Sequence, residues 1–570
     1  MFKEELSMPA LPDSRQRGRH RARSALAIAI SSATILAITA CTNSAKNPAD
    51  NHIGGVANIS VFAPQGADQN LATNTFTKEM EKKFNIKFTF QTTTQDAGPA
   101  AEKRQITLAS GDYPDMFLLI PWVDQFNQVD VEKLAKQGIA VPLNDLIKQY
   151  APHIQKALDT NANFKAMATS PDGKIYGLPQ LVECYHCSYA AKLWMNTAWL
   201  KKLNLPMPKT TEDMMKTLEA FKNNDPNGNG KKDEIPLSAD AHDNLIPYFM
   251  NAFIYDPQDP DKGITSTLVL RNGKVDIQAN QEGWREGLRY IKSLWDAGLI
   301  DKGAFTQNPE ALNQEGNNAG SVILGSATVL HPYIFVNGGS KDGRDKDYDA
   351  VPPLTGPSGA HYAAYTYPAV PGATFMLTNK ATKNDQVAAI KLMDYIFTDQ
   401  GQIDGTFGVE GKDWTKPGPK DKALDPNTKP LYNVVQQPAG AKPRNSAWGA
   451  LAQYNNTLQF RNAQVEPENI YDPSGYERRL FQATKLYQGN EDKAEIYPFW
   501  DVWVDPANAS EVATLQTNID NYTMQNALAF ITGSKSLDTD WNAYVQGFQG
   551  LGLPRYLQLL QTAYNKSAPK

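Results

Sequence analysis

The chain has 570 residues, 41% hydrophobic, 21% charged and 10% aromatic, with 56 Lys and Arg against 61 Asp and Glu for a net charge of −5. That usage excludes a largely disordered or fibrous chain, and the balance of charge argues against a basic surface for nucleic acid. Three cysteines, Cys41, Cys184 and Cys187, are too few for a disulfide scaffold, and at roughly 150 residues per domain the length fits three or four domains or two large ones.

The N-terminus carries five arginines between Arg15 and Arg23, then an uncharged Ala/Ile/Leu run from Ser24 to Ala40. A basic flank, an apolar stretch and a small-residue end make a secretory signal over residues 1–40. Ile38-Thr39-Ala40-Cys41 resembles a bacterial lipobox, which implies that Cys41 is lipidated and palmitate-bearing. Residues 41–55 are rich in Asn, Ala and Gly and read as a flexible tether. The mature chain is then expected on the extracytoplasmic face of the cell membrane, held by its lipid.

Asn58 to Ala63 reads as a strand. Phe76, Met80 and Phe84 fall at i, i+4 and i+8 and predict a helix over Thr75 to Phe84. Ile86, Phe88 and Phe90 alternate with polar residues as in a half-buried strand. A helix up to Ala109 and an apolar strand from Asp115 to Ile120 follow. Alternating strands and helices predict an α/β lobe with a sheet covered on both faces. Further helices are expected over Thr211 to Phe221, Gly283 to Gly298, Asp385 to Phe397, and from about Thr514 to Tyr564. The Pro/Lys/Gly-rich stretch from Gly411 to Pro443 has no clear period and reads as a long surface excursion.

Four stretches carry a family resemblance. They are Leu108-Ala-Ser-Gly-Asp-Tyr-Pro-Asp115, Pro171-Asp-Gly-Lys-Ile-Tyr-Gly-Leu-Pro179, Leu294-Trp-Asp-Ala-Gly-Leu-Ile-Asp301 and Phe407-Gly-Val-Glu-Gly-Lys-Asp-Trp414. In this order, behind a lipobox, they resemble the extracellular solute-binding lipoproteins of ABC importers, in particular the LplA-like and alginate-binding branches. The resemblance implies a two-lobed α/β fold of the periplasmic-binding-protein type (class II), with a ligand cleft between the lobes and a helix-rich second lobe. It places residues 56–180 and about 315–400 in the first lobe, and about 181–314 and 401–570 in the second. It implies capture of a carbohydrate, an oligosaccharide first of all, and delivery to membrane permease subunits by a monomeric protein without catalysis. A peptide or other solute is the alternative cargo. A surface-anchored glycan-active enzyme and a sensor that reports to a membrane receptor are further alternatives. None of the motifs of serine hydrolases, zincins or P-loop proteins occurs.

Asp225-Pro-Asn-Gly-Asn-Gly-Lys-Lys-Asp-Glu234 has the spacing of an EF-hand loop. Asp225, Asn227 and Asn229 offer side-chain oxygens, Lys231 a backbone carbonyl, and Asp233 an acid at the ninth position. The twelfth position is Pro236, so the usual bidentate Glu is missing, and Glu234 at the tenth position is expected in its place; the loop resembles the variant of the alginate-binding and LplA-like proteins, which implies a structural Ca²⁺. Cys184-Tyr185-His186-Cys187 allows zinc, a redox centre, free thiols or a structural disulfide. An oxidising exterior favours a Cys184–Cys187 disulfide.

Sugars pack their C–H faces on aromatic rings and need convergent polar partners for their hydroxyls. The residues expected to bind ligand are Trp122, after the strand ending at Ile120, with Tyr185, His186, Trp414 and Trp448. Trp199, Trp284 and Trp295 sit at helical spacing among apolar residues and are expected in the core. Trp500 and Trp503 fit either role.

Overall fold

Between Ala57 and Pro64, alternate side chains serve two different cores. A computed structural model describes residues 53–257, 268–368, 371–437, 442 and 444–567. In it β1 (Ala57–Pro64) pairs in parallel with β2 (Ile86–Thr93) on one side and with β3 (Met116–Leu118) on the other. Ile59, Val61 and Ala63 of β1, with Met116 and Leu118 of β3, enter one apolar cluster. Phe62 and Phe117 enter another on the opposite face. The sheet is therefore buried on both sides, as expected of parallel strands with crossover helices. The crossovers are α1 (Thr75–Phe84) and α2 (Ala97–Ala109). Asn74 caps α1 by accepting from the Phe76 amide, and Asn85 ends it in the left-handed conformation.

A fourth strand, Phe375–Leu377, pairs antiparallel with β3 after a long excursion of the chain. That excursion builds the second lobe. Its sheet has β4 (Leu193–Asn196) at the centre, flanked antiparallel by β5 (Ser326–Thr328) and β6 (Tyr348–Val351). Helices Thr211–Asn223, Glu282–Asp296, Ala509–Ile531, Trp541–Gly550 and Leu553–Ser567 pack around one large core with it. Glu282–Asp296 turns Trp284, Leu288, Ile291 and Leu294 inward, and Gly298, at φ +64°, lets Leu299 bond back to Leu294 and end the helix.

The lobe boundaries expected from the sequence need correction. Residues from about 315 to 400 are expected in the first lobe, yet Leu324, Ala327, Phe335, Val351 and Leu354 lie in the second core, and only the later part, with Phe375, Leu377 and Val387, packs in the first. β5 and β6 pair with β4, which ties this stretch to the second sheet. Residues 401–465 were expected in the second lobe. Trp448, Leu451 and Tyr454 instead pack into the first core, and the Trp448 amide donates to the Gly405 carbonyl. The stretch after Gly411 is also more than a surface loop. Trp414–Thr415 pairs with Asn433–Val434, and Ile403, Trp414, Tyr432 and Phe460 form a small core of their own.

The signal segment 1–40, Cys41 and the tether as far as residue 52 lie outside the described residues. The tether's last residues are docked: Gly54 donates to Asn384, and Asn85 donates to the Gly55 carbonyl. Among the described residues, no helix is long and apolar enough to cross a membrane.

Candidate functional site

The chain passes between the two cores several times, and side chains of those passages line a groove. One part is a cavity of about 370 Å³ lined by Gln128, Tyr365, Tyr497, Phe499, Trp500 and Tyr556, among others. A second part, of about 380 Å³, is lined by Glu183, Tyr185, Tyr189, Tyr367, Gln488 and Glu491, among others. Tyr365 and Ile496 line both parts, so the two are continuous. Tyr367, Phe499 and Trp500 pack on the first core, whereas Tyr185, Tyr189, Tyr365 and Tyr497 belong to the second. An aromatic-lined cavity of this size at a lobe interface is where small ligands bind.

The passage from Glu183 to Lys192 is braced by its own contacts. Cys184 and Cys187 are joined in a disulfide with Cα atoms 5.2 Å apart. The wholly buried Lys192 ammonium donates to the His186 carbonyl at 2.9 Å and to the Tyr189 carbonyl, which braces the turn from below. Burial pushes the Lys192 ammonium down to about 7. Tyr185 donates to Gln488 at 2.7 Å, and Tyr189 to Glu491 at 2.8 Å. Burial raises the Tyr185 phenol to about 12, so it remains a donor at any physiological pH.

Two buried polar atoms on the groove have no protein partner among the described residues. They are Trp500 Nε1 and the Tyr497 hydroxyl. A buried donor without a partner costs about 1–3 kcal/mol, so these groups favour a ligand rich in hydroxyls. Trp500, Val502 and Val504 face this groove, while Asp501, Trp503 and Asp505 face a separate cavity of about 750 Å³ on the other side of the strap. Burial raises the Asp501 carboxyl there to about 6.

The five residues expected to bind ligand fall in different places. Tyr185 lines the groove. Trp122 is 62% exposed, on a turn outside the groove's lining. That turn is pinned by a buried Arg104–Asp124 pair at 2.6 Å, and Gln125 donates to the carbonyl of Pro371, a groove residue. His186 sits beside the groove with its Nδ1 3.6 Å from Glu477, and burial together with Lys192 pushes its imidazole well below the ordinary range. Trp414 and Trp448 lie in cores and not at the cleft. Trp414 is fully buried in the small core, its Nε1 donating to the Gly408 carbonyl at 2.9 Å. Trp448 is buried in the first core, edge-on to Phe76 and bonded to Thr77. Both indoles are satisfied inside and offer no face to a cleft. Tyr189, Tyr365, Tyr367, Glu183 and Glu491 were not anticipated. Trp199 and Trp284 are buried, and Trp295 packs half-buried against the second core.

The EF-hand-like loop follows helix Thr211–Asn223, and none of its residues lines the groove. Asp225, itself at φ +47°, accepts the amides of Gly228, Asn229 and Gly230, which curls the loop around its carboxylate. Asn227 and Asn229 donate to Asp233 at 2.9 to 3.1 Å. Glu234 Oε1 is buried without a hydrogen-bond partner. Burial, with the charges of Asp233 and Asp225, raises the Glu234 carboxyl. An orphaned carboxylate oxygen beside two further acids fits a hard divalent cation.

Comparison with known proteins agrees with this architecture. The chain is 29% identical over 475 residues to the fructooligosaccharide ABC transporter substrate-binding protein FusA of Streptococcus pneumoniae, covering 82% of each chain. The solved structure of FusA in complex with kestose superposes with a TM-score of 0.63 at 25% identity, over 89% of this chain and 99% of that one. A solute-binding protein from Bifidobacterium longum subsp. infantis shares the fold with a TM-score of 0.71 at 21% identity, over 90% and 99% of the two chains. Residues 72–409, more than half of the chain, match the model of the bacterial extracellular solute-binding proteins, and the chain belongs to that family, whose members bind solutes rather than transform them.

Proposed function

We propose that this protein is the cargo-binding lipoprotein of an ABC importer and that its cargo is an oligosaccharide. The observation that carries the reading is the groove between the lobes. Its aromatic walls offer stacking faces, and the unpartnered Trp500 indole N–H and Tyr497 hydroxyl offer bonds that sugar hydroxyls complete. Tyr185 in the lining and the exposed Trp122 outside it add further platforms. Closure of the two lobes then buries the sugar, a hinge motion common to binding proteins. Cys41 holds the chain to the extracytoplasmic face of the membrane by its lipid, and a permease receives the cargo there from a monomeric donor.

A thermal-shift screen of the purified protein tests this. Oligosaccharides, with peptides as contrast, are expected to raise Tm, and ligand at a hundred times Kd stabilises by about 2.7 kcal/mol. The sugar is recovered intact. A shift with peptides alone changes the cargo class, and cleavage of the sugar overturns the non-catalytic reading.

The loop from Asp225 to Glu234 is proposed to hold a structural Ca²⁺. The ligands are the side chains of Asp225, Asn227, Asn229, Asp233 and Glu234 and the carbonyl of Lys231. The Asn amides turn their oxygens inward when the cation is present. EDTA is expected to lower Tm by a few degrees, Ca²⁺ in excess to restore it, and Glu234→Gln to remove most of the response, since a cation at about a thousand times its Kd stabilises by roughly 4 kcal/mol and each 1 kcal/mol moves Tm by roughly 1 °C at this chain length. No calcium by elemental analysis and a Tm indifferent to EDTA would sink the assignment.

A further inference from the structure

We infer that the groove selects uncharged glycans and rejects those that carry uronate carboxylates. This rests on the oligosaccharide reading above and adds the charge of the cargo.

Among the described residues, the groove's lining holds two carboxylates, Glu183 and Glu491, and one cation, Lys493. No arginine is among those lining residues. Lys493 is largely exposed and lies 3.7 Å from Glu491. Glu183 is fixed only by neutral donors: Asn161, the Tyr367 hydroxyl and the Leu458 amide, at 2.8 to 3.3 Å. Glu491 accepts from the Tyr189 hydroxyl and the Gly489 amide on its other oxygen. Buried Lys192 is not among the lining residues and is bonded to the His186 and Tyr189 carbonyls.

A neutral sugar suits this set. Each hydroxyl both donates and accepts, so it donates a hydrogen bond to a carboxylate and accepts one from the Trp500 indole N–H. A uronate carboxylate only accepts, and its preferred partner is a paired guanidinium. Here it meets fixed carboxylates in a cleft that closes on it. Like charges so placed cost several kcal/mol, which is about hundredfold in affinity.

Isothermal titration of the full-length protein tests the inference. The probes are kestose, nystose and lacto-N-tetraose as neutral glycans, with tri-galacturonate and a C6-oxidised form of whichever neutral probe binds. The oxidised sugar is expected to bind about hundredfold or more weakly than its parent. In the Glu183→Gln, Glu491→Gln double variant the gap is expected to shrink below tenfold. Tighter binding of either acidic probe than of any neutral one overturns the inference while leaving the oligosaccharide reading intact. A gap that persists in the double variant also overturns it, because charge is then not its cause. If no saccharide binds at all, both readings fall together.

Discussion

Trp500→Ala is expected to weaken oligosaccharide binding by about hundredfold or more, the loss typical of a central aromatic anchor. Trp500 stands where three features meet. It lines the groove, its Nε1 has no protein partner, and its ring packs against Tyr367 at 4.8 Å and Phe499 at 5.3 Å. Alanine removes the stacking face and the donor together. Trp500→Phe keeps a ring and removes only the N–H, so it is expected to lose about 1–1.5 kcal/mol, roughly tenfold. The ring also contributes to the first core, so Trp500→Ala loses stability as well. The phenylalanine variant separates the two effects, because it alters packing little. Titration calorimetry on both variants, with circular dichroism to confirm folding, gives the ordering. Binding within twofold of wild type for a folded Trp500→Ala protein would move the ligand site elsewhere.

The architecture was legible in the sequence because its signals are local. The period-two run of β2, the i, i+4, i+8 stripe of α1 and the heptad-like spacing of Trp284 to Leu294 each report burial by neighbours within one element. The family motifs are equally local, and the structure shows what they do. Asp115 accepts the amide and hydroxyl of Ser60 at 2.7 and 2.6 Å, which latches β3 to β1. Gly177 lies where any Cβ would meet Ala373 and the Phe375 carbonyl, so it lets the returning strand approach. These motifs build the scaffold; none of them lines the groove.

The groove itself was hard to read because its partners are far apart in the chain. Tyr185 meets Gln488 across 303 residues, and Tyr189 meets Glu491 across 302. No spacing rule joins such pairs. Tryptophan count was also a poor guide, since a large ring with one donor suits a core as well as a cleft. The denser signal was the run from Tyr497 to Trp503, four aromatics in seven residues, interrupted by Pro498 and Asp501. Its alternation serves two cavities on opposite sides of one strap, a pattern that only the folded chain reveals. The misplaced lobe boundary has the same origin. Short strands such as Ser326–Thr328 carry little period of their own, and their allegiance is decided by pairing with β4.

Trp448→Ala separates core from cleft in the opposite sense to Trp500→Ala. The indole of Trp448 is 2% exposed and meets Phe76 at 5.1 Å and Phe88 at 6.1 Å, both edge-on. Its Nε1 donates to Thr77 at 2.8 Å. Truncation leaves a cavity in the first lobe and an unpaired hydroxyl on α1, for a loss of about 3–5 kcal/mol. That is a large fraction of the 5–15 kcal/mol that holds a typical domain together. Urea unfolding followed by far-UV circular dichroism and by tryptophan fluorescence is expected to show an earlier first transition, assigned to the first lobe, with the second little changed. Two lobes with separate cores need not unfold as one. At low temperature, where the variant is folded, its oligosaccharide affinity is expected to stay within about threefold of wild type, as for a residue that touches no ligand. The opposite result, a stable protein with binding lost, would return Trp448 to the cleft and require the first core to be rebuilt without it.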